Sequence, residues 1–151
     1  MDCITGLPDI NRFNALLVCV DKFGELCWLI PCRAGENELS APAIAKLFFE
    51  HIVHLYGVPR VVLHDQDPRF TAAFWKELWK ILGCKTAFLS AFHQQTDSQT
   101  ESHNHTIDQV VRALGHEHGF SWLEAIPLVE MTLNNAVNDS THMSPAFILY
   151  G

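Results

Sequence analysis

An α/β fold, with a mixed five-stranded sheet flanked by helices, follows from three features of the sequence. Short apolar segments separated by turn signals fill its first third. Beyond that, short apolar runs alternate with amphipathic stretches. Of its 151 residues, 48% are hydrophobic and 18% charged, enough to bury a core of one ordinary domain's size and unlike a disordered tail. Strands joined by a hairpin run antiparallel and strands separated by helices run parallel, so the sheet is mixed.

Met1 to Thr5 (MDCIT) reads as the stub of a first strand whose N-terminal half is missing, ended by the turn signal Gly6-Leu7-Pro8. Asn14 to Asp21 and Glu25 to Cys32 form a hairpin around Lys22-Phe23-Gly24, with glycine at the left-handed position. Ser40 caps a helix whose apolar stripe is Ile44, Leu47, Phe48, Ile52 and Leu55, stopped by Gly57 and Pro59. Arg60 to His64 is a fourth short strand. Thr71 to Leu82 is an amphipathic helix stopped by Gly83, and Lys85 to Leu89 is a fifth strand. The polar stretch from Ala91 to Thr100 feeds a helix from about Glu101 to Leu114 with Ile107, Val110, Val111 and Leu114 as its buried stripe. A last long helix begins at the capping box Ser121-Trp122-Leu123-Glu124 and carries Leu123, Ile126, Pro127, Leu128 and Met131 towards Asn135. Pro127 belongs in an early turn of it or bends it.

Charge and cysteine usage narrow the function. Ten Lys and Arg against seventeen Asp and Glu give a net charge of −7, so nothing in the overall balance attracts a polyanion and any nucleic-acid role rests on local features. The apolar runs are far shorter than the ~18 to 20 residues of a membrane span, and no leader pattern opens the chain, so a soluble, unprocessed protein is expected. The five cysteines, at 3, 19, 27, 32 and 84, are odd in number and form no C-x-x-C pair, against both a zinc ribbon and a disulfide framework. They read as core thiols in a reducing compartment, Cys19 and Cys27 most clearly.

Three acids lie on three elements: Asp2 on the first strand, Asp65 at the end of the fourth, and Glu101 at the start of a helix. A fourth strand running parallel beside the first lets Asp2 and Asp65 meet, and a helix packed on that face brings Glu101 near. Hard divalent cations such as Mg²⁺ select such carboxylate clusters, and a pair of them about 4 Å apart supports in-line displacement at a phosphodiester. Spacing alone leaves alternatives, with Asp67 competing with Asp65 and Asp97 with Glu101. Glu101 also completes a capping-box spacing with Ser98, and Asp65-Gln66-Asp67-Pro68 is good turn chemistry.

Four ordered stretches carry a resemblance: Met1-Asp2-Cys3-Ile4-Thr5-Gly6-Leu7-Pro8, His64-Asp65-Gln66-Asp67-Pro68-Arg69-Phe70-Thr71, the run from Phe92 to Glu101, and Asn134-Asn135 with Ser144-Pro145 and Leu149-Tyr150-Gly151. Over nearly all its length the chain resembles the catalytic core of the integrase of Ty3/gypsy-type retrotransposons, a family close to retroviral integrase. Between Asp65 and Glu101 lie 35 residues, the gap of that family's D,D-35-E signature. The resemblance implies a ribonuclease H-like fold and a polynucleotidyl transferase. Asp2, Asp65 and Glu101 are then catalytic and hold two Mg²⁺ or Mn²⁺ ions, activating water for 3′-end processing and then a DNA 3′-hydroxyl for strand transfer. It prefers Asp65 to Asp67 as the acid five residues before Phe70. It also implies retroelement ends and target DNA as partners, a homodimer, no membrane, and nuclear action, although no basic localisation run is present. Residues 1–151 then form a core truncated in its first strand, without the family's zinc-binding N-terminal and DNA-binding C-terminal domains.

The chain departs from that pattern where DNA would be met. Gln94 replaces a proline, Ser98 a glycine, Ser102 an arginine and His105 an arginine. Candidate DNA contacts are Arg69 beside the active-site turn, Gln95 in the polar loop, and Asn104, His105 and Arg112, which share a helix face with Glu101 and Asp108. Only Arg112 on that face is reliably cationic at neutral pH, so weak DNA binding is expected. Intact acids with worn basic positions leave a second reading of another class: a domesticated, non-catalytic module that keeps the fold and binds protein. The nine histidines, with His103-x-His105 and His116-x-His118, read as solvated surface because residues two apart on a helix do not share a face. Trp75 and Trp79, beside Phe74 and Leu78, read as core or a dimer contact, and Lys76, Lys80 and Lys85 as a solvated basic face.

Overall fold

The computed structural model describes residues 1–35, 39–64, 68–84, 121–139 and 141–151, with the side chains of Pro68 and Arg69 excepted. Its sheet has three antiparallel strands in the order β1 (Asp2–Ile4), β2 (Ala15–Val20) and β3 (Cys27–Cys32). Two compact units divide the chain, one holding this sheet and the C-terminal helices, the other holding the helices of the middle.

Apolar content decides where β2 lies. Ala15, Leu16, Leu17, Val18 and Cys19 are all buried, so both faces of this central strand are covered. Asp2 pairs with Val18 and Ile4 with Leu16 on one side, and Val18 with Leu29 on the other. The β2–β3 turn departs from the expected geometry. Glu25, not Gly24, takes the left-handed conformation (φ 59°), and the Asn138 carboxamide donates to the Glu25 carboxylate. Gly24 N–H donates to Asp21 Oδ2 at 2.6 Å, and a Cβ added at Gly24 would stand 3.3 Å from that same oxygen, so a side chain there would press on the hydrogen bond's own acceptor. Between β1 and β2, Ile10 and Phe13 exchange both backbone hydrogen bonds at 2.9 Å around the two-residue turn Asn11-Arg12.

One face of the sheet is covered by the helix α4 (Trp122–Asn135). Trp122, Ala125, Ile126 and Val129 join Leu7, Leu16, Val18 and Leu29 in a single cluster. The buried stripe is therefore rotated from the expected one. Leu128 and Met131 are exposed, and Val129 is fully buried in their place. Hydrophobic residues surround this helix, and the sheet residues it meets choose among them. The expected capping box is present in full: the Ser121 hydroxyl accepts from Glu124 N–H, and Glu124 Oε2 accepts from Ser121 N–H at 3.0 Å. Pro127 sits exposed inside the helix. After it comes an unexpected short helix, α5 (Pro145–Tyr150), capped by Ser144 Oγ, which accepts from Phe147 N–H, with proline in its first turn.

In the middle unit α1 (Ala41–Phe48) passes into a π-helical turn (Phe49–Val53) and then α2 (His54–Tyr56), ended by Gly57 at φ 84°. Ser40 stands at the N-cap without a side-chain hydrogen bond. The π turn absorbs one extra residue and shifts the buried stripe, so that Ile52 and Val53 are buried and Leu55 is exposed, against expectation. Helix α3 (Pro68–Ile81) starts three residues before the expected Thr71, with proline in its first turn. It ends as a Schellman motif in which Cys84 N–H donates to Trp79 O and Gly83 N–H to Lys80 O. Phe74, Trp75 and Leu78 are core, with Phe74 edge-on to Phe48 and Trp75 stacked on Trp79 at 5.9 Å.

Residues 60–64, expected as the fourth strand, form no strand. A parallel interior strand is buried on both faces, whereas Val61 is 54% exposed. The expected strand 85–89 and helix 101–114 lie outside the described residues.

Candidate functional site

Asp2 is the candidate acid whose surroundings the structure describes. It opens β1, which Gly6 (φ 76°) brings to an end two residues beyond Ile4, and it pairs with Val18, whose side chain belongs to the cluster beneath α4. Cross-strand partners share a face, so Asp2 stands on the side of the sheet that α4 covers. Its side chain is half-buried, and its Oδ1 accepts from Cys3 N–H at 2.7 Å. That contact orients the carboxylate against its own strand.

Asp65 and Glu101, with their competitors Asp67 and Asp97, lie outside the described residues, as do Gln95, Asn104, His105 and Arg112. Arg69 is the second residue of α3, and its side chain is also outside them. The flank of Asp65 is described on both sides. His64 sets its ring 4.7 Å from that of Phe70, and Pro68 starts the helix. No group of three His, Cys, Asp or Glu side chains suited to a metal ion forms among the described residues.

Four thiols lie on the three strands of the sheet that carries Asp2. Burial pushes the Cys3 thiol up to about 12, helped by Cys32 and then by Asp2, and burial raises Cys19 and Cys27 to about 12 and Cys32 to about 11. All five cysteines are free. Asp2 places a carboxylate oxygen donor in this part of the fold, the chemistry Mg²⁺ and Mn²⁺ select. No helix among the described residues is long and apolar enough to cross a membrane.

Two residues to which the sequence alone assigns no role act on the sheet. Asn134 exchanges two hydrogen bonds with the backbone of Cys27, and Glu130 accepts from Leu29 N–H. Asn134 stands in one of the stretches that carry the resemblance, whereas Glu130 is marked only by lying four residues before it on one flank of an amphipathic helix.

No family model matches the chain. It is 33% identical over 150 residues, 99% of its length, to the Transposon Tf2-3, Tf2-4 and Tf2-5 polyproteins of Schizosaccharomyces pombe. It spans 11% of the length of each. This likeness supports a retroelement-derived domain.

Proposed function

We propose, from that derivation, that the chain is the catalytic core of a Ty3/gypsy-type retrotransposon integrase, a polynucleotidyl transferase of the D,D-35-E type. The observation that carries this reading is the polyprotein similarity, which runs over 99% of the length that bears the three acids in order. The α/β chain is then ribonuclease H-like, and the three described strands are its antiparallel part. Asp2, Asp65 and Glu101 are the catalytic carboxylates and the residues that would hold two Mg²⁺ or Mn²⁺ ions. Such ions supply activation of a nucleophilic oxygen and charge stabilisation at a leaving oxygen. The half-buried Asp2 carboxylate fits hard cations of this kind.

In this reading Arg69, Gln95, Asn104, His105 and Arg112 face DNA, the partners are retroelement ends and target DNA, the core pairs with a second copy, and the site of action is the nucleus. The worn positions Gln94, Ser98, Ser102 and His105 favour a second reading, a domesticated interaction module that no longer transfers strands.

A calorimetric Mn²⁺ titration of the purified chain beside its Asp65→Asn variant, both shown to be folded by circular dichroism, separates the two. Saturable binding that disappears in the variant is expected. A folded parent chain that binds no Mn²⁺ overturns the enzymatic reading and leaves the interaction module.

A further inference from the structure

Strand β3 lies at an edge of the described sheet, and the backbone groups of its odd-numbered residues face away from β2. A free edge of this kind is a template for another strand. Here each outward donor is accounted for. Cys27 N–H donates to Asn134 Oδ1 at 2.8 Å, and Asn134 Nδ2 donates back to Cys27 O at 2.8 Å. Leu29 N–H donates to Glu130 Oε2 at 2.9 Å. Pro31, the next outward position, has no N–H at all.

The Asn134 carboxamide thus does to Cys27 what a peptide unit of a neighbouring strand would do, and Glu130, one helical turn away, continues the ladder to Leu29. Both residues sit on the helix that already covers one face of the sheet, so the closure is built into its packing. We infer that Glu130 and Asn134 form a strap that stands in for a missing strand and keeps β3 from pairing with β3 of a second copy. A second copy is the occupant the edge would take, because two identical strands related by a two-fold axis present matching donors and acceptors in antiparallel register.

The test uses the full chain and three variants, Asn134→Ala, Glu130→Ala with Asn134→Ala, and Glu130→Gln, which keeps an acceptor oxygen. Residue-resolved amide exchange and sedimentation velocity are measured together. In the double variant the Cys27 and Leu29 amides are expected to exchange about tenfold faster or more while the inward amides of Trp28 and Ile30 keep their protection. The double variant is also expected to associate, with rising concentration, beyond the state the parent shows at the same concentration, and Glu130→Gln to behave as the parent. Equal acceleration at all four amides would show a general prop for the sheet and overturn the inference, as would an opened edge in a protein whose association state stays that of the parent. Should the double variant fail to fold, the parent decides: Cys27 and Leu29 amides that exchange as fast as exposed ones overturn the strap.

Discussion

The indole Nε1–H of Trp122 donates to the carbonyl oxygen of Pro8 across 2.7 Å, joining positions 114 residues apart. The residue is 5% exposed and packs in the cluster with Leu7, Leu16, Ala125 and Ile126, so one side chain serves both as core and as a tie to the β1–β2 connection.

Separating the two roles gives the first prediction. Trp122→Phe keeps most of the buried ring and loses the donor, and because Pro8 is exposed its carbonyl can turn to water, so the expected cost is about 1 kcal/mol. Trp122→Ala also empties the site and is expected to cost about 3–5 kcal/mol. Urea unfolding of both variants checks this, and equal losses would mean that the hydrogen bond outweighs the packing.

A gain is expected at the β1–β2 turn. Asn11 and Arg12 both have positive φ, 53° and 72°, and a left-handed conformation costs a side-chain-bearing residue roughly 1–2 kcal/mol. Asn-Gly is the preferred pair for such a two-residue turn. Arg12→Gly should therefore stabilise the protein by about 0.5–1 kcal/mol after the added freedom of the unfolded chain is subtracted. A lower melting temperature for this variant would show that the Arg12 side chain contributes more than its backbone costs.

The buried thiols set a limit on the alkaline side. The Cys19 thiol is raised from 9.0 to about 12 by burial, so between those values the unfolded chain has released a proton that the folded chain still holds. Stability from this group is complete below pH 9 and falls as the pH rises towards 12. Cys19→Ala should flatten the decline of melting temperature with pH above 9, relative to the parent.

Thiol chemistry tests the same burial at neutral pH. In the native protein a thiol reagent should modify the exposed Cys84 quickly and Cys19, Cys27 and Cys32 only on unfolding. Rapid native labelling of Cys19 would contradict its place in the core.

Where the signal is local, sequence and structure agree. The hairpin, the Ser121 capping box, the stop at Gly83 and the place of Trp75 in the core beside Phe74 and Leu78, with Trp79 half-buried next to it, each rest on residues within a turn or two of one another. Errors arose where a second surface decided. Leu128 and Met131 are as hydrophobic as Val129, yet only Val129 meets the sheet. Leu55 fits an α-helical stripe, and the π turn moves it outward. Arg60 to His64 has a strand's composition without a strand's pairing. At the candidate site, Asp2 was legible from the resemblance and its strand, while the orientation of its carboxylate towards Cys3 N–H was not.

The α/β character, the main turns and caps, and the order and spacing of Asp2, Asp65 and Glu101 are written locally in the chain, because propensity, capping and spacing act over a few neighbouring residues. Which flank of α4 is buried, that Trp122 reaches Pro8, and that Asn134 and Glu130 close the edge of β3 are set by packing. Those hydrogen bonds join residues more than 100 positions apart, and their partners are selected by the surfaces that packing brings together rather than by anything adjacent in the chain.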